Sequence, residues 1–367
     1  MKFSTDTLTR PFDMTFPRAL AVALLLVVAA APVAGQDFHY SQFYNAPLHL
    51  NPALTGIFSG DVRFMGNYKS QWRDIPVDYQ TVTVAADKKF LDVSSDDGFF
   101  SGGVAFNYDR AGDSRLTWAN VDLNVSYTRV FSPRVIVSLG GKAALIQRSF
   151  DQADLRFDSQ FDDDRGQFNA GLPSNEAFTN DGNLFPDFAA GINVRLQAKQ
   201  TDELVLRNNR RTKLDAGVAL HHLFAPEQNF YEDFDVPLER RLSPYAIGVL
   251  QVLPRVDAVG ALTYQFQGSF YDELVGMAGG RVWLVNNLNS RLSVMAGIGL
   301  RRTQRNQDAY WPTFEVSYND LRVALNYDFN TSEFDIATEN RGGMELSVRY
   351  IIRKVRPLPE FKVCPLL

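Results

Sequence analysis

The sequence predicts an all-β fold, a transmembrane antiparallel β-barrel of about fourteen strands, and three observations predict it. Long stretches alternate apolar and polar residues with period two, an export leader stands at the amino terminus, and no later apolar run reaches the length of a spanning helix. Aromatic residues make up 13% of the chain, which suits a wall that needs amphipathic side chains at two membrane interfaces.

The leader comes first. Lys2, Arg10 and Arg18 precede an apolar run from Ala19 to Ala31 that ends in Val33-Ala34-Gly35. Residues 1–35 therefore read as a secretory signal peptide cleaved before Gln36, and Met14 offers an alternative start. The run is shorter than the ~20 residues of an anchor, and no cysteine stands directly after it to carry a lipid. Of the 37 Lys+Arg and 42 Asp+Glu, the leader holds Lys2, Arg10, Arg18, Asp6 and Asp13, leaving the mature chain 34 and 40. A balance near -6 offers no basic face for nucleic acid, so that partner class is set aside. Cys364 is the sole cysteine, which rules out an intramolecular disulfide and a thiolate metal cluster.

Residues 36–60 follow as an ordered but irregular segment. Pro47 and Pro52 remove backbone donors and fix φ, while Phe38, Tyr40, Phe43 and Tyr44 require burial. The expectation is that this segment packs inside the periplasmic end of the barrel, which spans residues 61–367.

Within the barrel, Val121, Leu123, Val125 and Tyr127 alternate with Asp122, Asn124, Ser126 and Thr128. Phe188 to Leu196, Leu321 to Phe329 and Met344 to Ile352 repeat the pattern. With turn residues as punctuation, strands are expected near 62–72, 77–90, 99–110, 116–131, 134–149, 185–198, 211–223, 241–252, 256–268, 272–285, 290–303, 308–317, 320–330 and 342–353. The stretch with Pro312 fits least well. Many exceed ten residues, whereas soluble strands average ~5 to 6. Loop parity agrees: connections 150–184, 224–240 and 331–341 are long and odd-numbered, while Ser132-Pro133, Leu253-Pro254-Arg255 and Tyr318-Asn319 are short and even-numbered. The sixth connection, 199–210, breaks the rule. Trp118, Tyr127, Tyr264 and Phe329 are expected in interfacial girdles, and the Asp-rich fifth connection is expected to be a solvated acidic lid that could fold over the barrel mouth.

No constellation for catalysis stands out. His39, His49, His221 and His222 belong to no metal-ligand motif, and neither a Gly-x-Ser-x-Gly elbow nor a phosphate-cradling Gly-rich loop occurs. His221-His222 is expected to be an interfacial pair. The sequence thus predicts no catalytic residues, no metal and no cofactor.

The stretch from Gln36 to Gly56, with Ser41, Gln42, Phe43, Asn51, Pro52, Ala53 and Gly56, closely resembles the opening of the PorP/SprF family of Bacteroidetes. Asn67 to Trp72 is similar to that family's Tyr-Arg-x-Gln-Trp segment, with Lys69 in the Arg position and Gln71 and Trp72 matching. His222-Leu223 with Pro226, Asn326 to Asn330, Met344 to Ser347 and Cys364-Pro365 add weaker matches, whereas Arg341 to Met344 departs from the usual Gly-Ser-His. The resemblance implies an outer-membrane barrel, in contact with lipid, that works with the type IX secretion system. Its implied partners are periplasmic components of that system and the C-terminal domains of secreted cargo, gliding adhesins in some relatives. The opening motif is then either a partner contact or a structural cap on the lumen. A diffusion porin or uptake channel is the alternative function. An outer-membrane phospholipase or protease would need a Ser-His or Asp-His constellation at one rim.

Overall fold

The computed structural model describes residues 37–71, 79–90, 98–112, 115–151, 155–162, 165–176, 182–198, 210–230, 236–268, 271–287, 290–303, 307–331 and 341–353. Fourteen antiparallel strands close into a barrel: β1 (Val62–Gln71), β2 (Tyr79–Phe90), β3 (Gly98–Ala111), β4 (Leu116–Ser132), β5 (Val135–Ser149), β6 (Gly182–Gln197) and β7 (Lys213–His221). β8 (Arg241–Leu253), β9 (Val256–Gln267), β10 (Tyr271–Asn286), β11 (Arg291–Thr303), β12 (Gln307–Tyr318), β13 (Leu321–Asn330) and β14 (Arg341–Ile352) complete it. Each strand pairs with its sequence neighbour, and β1 closes on β14 from Val62↔Ile352 to Gln71↔Gly343. Closure leaves no unpaired strand edge, which lipid could not satisfy. Every bound lies within three residues of the sequence expectation.

The alternation turns the fold inside out relative to a soluble protein. On β4, Val121, Leu123, Val125 and Tyr127 are 52, 58, 59 and 40% exposed, while Asp122, Asn124, Ser126 and Thr128 are 1, 1, 1 and 0% exposed. Apolar side chains face outward toward lipid and polar ones face the lumen. Pro312 fits because β12 makes no ladder pairs with β13 between Tyr310↔Phe329 and Thr313↔Asn326, where it has no N–H to offer.

Long connections gather at the end where β1 finishes, while Pro133-Arg134, Pro254-Arg255 and Asn319-Asp320 turn the chain tightly at the other end. This asymmetry makes the start of β1 the periplasmic, or inner, end. Most of the exceptional sixth connection lies outside the described residues.

Four expectations need correction. Residues 37–60 do not stop at the inner end; they run the height of the lumen, from Asp37 beside Gln267 and Arg241 at the outer end to Gly60 beside Ile351 at the inner end. The reason is that inward-facing polar groups line the wall over its whole height, so the segment finds hydrogen-bond partners throughout. Trp118 is even-numbered on β4 and faces inward, where it packs against Phe185 and donates to Asn120 at 3.0 Å. His221 and His222 are buried inside the outer mouth rather than interfacial. The connection that folds over the mouth is the one between β7 and β8: Leu238 is buried against Ile146 and Phe185, and Gln228 bonds Arg148. The connection between β5 and β6 instead carries a small exposed hairpin, Phe161–Asp162 with Gln167–Phe168, and Asp187 belongs to β6 and points inward.

Candidate functional site

The site is the lumen segment and the wall that seats it. The segment folds as two 3-10 turns, Phe43–Asn45 and Pro52–Leu54, around one helical turn, Pro47–Leu50. Each proline opens its turn, where a missing N–H costs nothing.

At the outer end Asp37 lies 2.7 Å from His222 Nε2 and 3.1 Å from Arg241, and His222 Nδ1 faces Asp187 at 3.1 Å. Burial works to raise the Asp37 carboxyl, but His222 and Arg241 hold it well below the usual carboxylate range. Burial likewise works to lower His222, yet the two carboxylates outweigh it and raise the imidazole above its ordinary value. His222 Nε2 hydrogen-bonds the Asp37 carboxylate, and Nδ1 stands within ion-pair distance of Asp187. This Asp-His-Asp array is therefore a clamp on the segment, and a rim position alone does not make it catalytic.

One turn further in, Glu345 accepts the backbone N–H groups of Ser41 and Gln42 at 2.9 and 2.8 Å. Ser41 Oγ donates to Asp328 at 2.5 Å and accepts from Arg301 at 3.1 Å. The Gln42 amide donates to Asn326 and accepts from Ser347 Oγ at 2.5 Å and Asn45 Nδ2 at 2.8 Å. Phe43 enters an apolar cluster with Leu50, Leu54, Tyr245, Met295 and Trp311.

At mid-height Asn51 does two jobs. Its Oδ1 accepts from Ala53 N at 2.7 Å and caps the following turn. Its Nδ2 reaches the carbonyls of Ile192 and Val218 at 3.1 and 3.2 Å, bridging the seam between β6 and β7. The close fit requires wall glycines. A Cβ on Gly140 would sit 2.3 Å from Ala53 N and Pro52 C, and one on Gly191 would sit 2.1 Å from Asn51 Oδ1. Near the inner end Gly56, at φ +77°, donates to Asp87 at 2.7 Å, while Arg63 grips the same carboxylate at 2.7 and 2.8 Å.

The structure thus brings together Ser41, Gln42, Phe43, Asn51, Pro52, Ala53 and Gly56, all buried against the wall. Gln71 is apart from them, paired with Tyr79 and Gly343 at the outer end of β1, and Trp72 lies outside the described residues. Sequence reasoning missed the wall partners Asp87, Asp187, His222, Asp328 and Glu345. The available signal was a charged residue at an inward position of an otherwise regular alternation.

The chain matches the family described as type IX secretion system membrane protein PorP/SprF over residues 33–350. No curated protein matches it significantly. Among solved structures it is similar to a Pseudomonas aeruginosa FadL homologue, at 13% identity over 83% of this chain and 94% of that one, with a TM-score of 0.47. The Ralstonia pickettii toluene transporter TbuX aligns at 10% identity over 84% and 94%, with a TM-score of 0.44.

Proposed function

Because the chain belongs to the PorP/SprF family of type IX secretion system membrane proteins, we propose that it is an outer-membrane accessory barrel that binds or anchors particular secreted surface proteins through their C-terminal domains. The observation that carries this reading is the filled lumen. Residues 37–60 are bonded to the wall at every level, and the connection between β7 and β8 folds over the outer mouth. An open diffusion pore would forgo these contacts, whereas a membrane-embedded platform can keep its interior filled. The opening motif in this reading seats the segment, and the surfaces offered to cargo and to periplasmic components are the connections at either end.

Deleting the gene tests it. The expected result is that one or a few surface proteins disappear from the cell or are released to the medium, while uptake of small solutes is unaltered. Intact surface display combined with impaired uptake would overturn the proposal in favour of a diffusion channel. Substituting Asn51 and Pro52 adds a second readout, since loss of display from a correctly assembled barrel makes the seated segment part of the platform.

A further inference from the structure

The lumen is not filled evenly. At the inner end, two adjoining cavities of about 220 and 230 Å³ open beneath the segment, sharing Ser59, Arg195, Lys213, Arg281 and Arg322. Ten basic side chains line them against three carboxylates. Those carboxylates are already engaged: Asp215 by Arg195, Asp257 by Arg211 and Glu315 by Arg281, each at 2.8 Å. Arg322 adds a second cation to Glu315 at 3.1 Å.

Arg63 and Arg353 pair with Asp87 and Asp320 beyond the lining, and Lys213 and Arg349 are among the cations left over. Among the described residues neither Lys213 nor Arg349 has a carboxylate within ion-pair distance, and Arg349 Nε is buried without a hydrogen-bond partner. Arg349 also stands directly opposite Arg322 in the β13–β14 register. Like charges directly opposed across a ladder destabilise it, so the wall has built a repulsive pair facing a pocket. Lys213 is within electrostatic range of Arg195, Arg349 and Arg322, with Asp215 as the one nearby carboxylate and that already held by Arg195. A guanidinium fork matches the paired oxygens of phosphate and carboxylate groups.

We infer that this basic vestibule binds a small multivalent oxyanion, of phosphate or carboxylate type, between Arg322, Arg349 and Lys213. The three cations belong to the wall, and the site does not depend on the secretion reading. The cavities suit a compact anion rather than a folded partner, and the aromatic and aliphatic floor of Tyr44, Pro47, Ile57 and Phe58 limits water competition at its base.

The test uses the purified full-length barrel in detergent, titrated calorimetrically with inorganic pyrophosphate and, in a parallel arm, with citrate. The two arms decide which oxyanion type is preferred. Saturable binding that weakens with added salt is expected for at least one probe. Arg349→Gln and Lys213→Gln should each weaken it roughly tenfold or more, as loss of a charge-assisted bond implies. Arg165→Gln, in an exposed connection, should leave it unchanged. In the absence of probe Arg349→Gln should melt no lower than the parent, because it relieves the opposition to Arg322. The inference is overturned if neither probe saturates, if both vestibule variants bind like the parent, or if Arg349→Gln destabilises the empty barrel.

Discussion

A valine at Gly140 should unseat the lumen segment, while a valine one residue on should do nothing. Gly140 faces inward under the Asn-Pro-Ala turn, and its added Cβ would lie 2.3 Å from Ala53 N and Pro52 C and 2.5 Å from Ala53 Cα. All three are backbone atoms, so no side chain can swing away. The turn must move, and Asn51 then loses its hold on the Ile192 and Val218 carbonyls. Overpacking costs about 1–3 kcal/mol, and each buried hydrogen bond lost adds about 1 kcal/mol. The sum, about 3–5 kcal/mol, shifts the seated equilibrium by roughly two to four powers of ten. Gly141 faces outward, and its Cβ would meet only Ala189 O at 4.0 Å. Valine favours strands at both positions, which makes the pair a control for everything except the contact. Limited chymotrypsin digestion reads the outcome, because the bonds after Phe43 and Tyr44 are protected only while the segment is seated. Protection equal in both variants, or cleavage equal in both, would refute the reasoning.

Further outcomes follow from the same contacts. Glu345→Ala orphans the Ser41 and Gln42 N–H groups and should destabilise the folded barrel by about 2–6 kcal/mol in chemical denaturation, at ~1–3 kcal/mol per buried unsatisfied group, with Glu345→Gln recovering part of it. Asp87→Ala leaves Arg63 buried and unpaired beneath Gly56, a loss of about 3–5 kcal/mol that a urea titration would register as an earlier midpoint. The outer clamp depends on pH in a direction that can be worked out. His222 is raised in the folded state, so its contribution is complete below its unfolded value near 6.5 and is lost as pH rises through the folded value; Asp37 is lowered, so its contribution is lost as pH falls below the ordinary carboxylate range. The stability advantage of the parent over His222→Gln should therefore shrink from pH 6 toward pH 9, and a constant difference across that range would contradict the clamp.

The wall was legible in the sequence because period-two patterning is a local property. Each strand shows its dry and wet faces without reference to any other, as Val121 to Thr128 do. Pro312 fitted least well because the tolerance of its missing donor depends on a gap in the pairing with a neighbouring strand, which a local pattern does not show. The path of residues 36–60 was not legible to the same degree. Its prolines and aromatics announced an ordered, buried segment, but how far it climbs depends on acceptors hundreds of residues away, such as Glu345 for Ser41 and Gln42. His222 was misplaced for the same reason: beside a strand end it looks interfacial until Asp37, threaded through the lumen, arrives next to it. The charge excess at the inner end escaped notice because it is spread over several strands, one or two cations on each.

Residues 37–60 occupy the lumen over its height, bonded to the wall at each level. Single-channel recording on the purified wild-type barrel in a planar bilayer tests it most directly. A closed baseline under applied voltage, with steady conductance appearing in Gly140→Val, is the result this structure predicts. Steady conductance from the unaltered protein would contradict it.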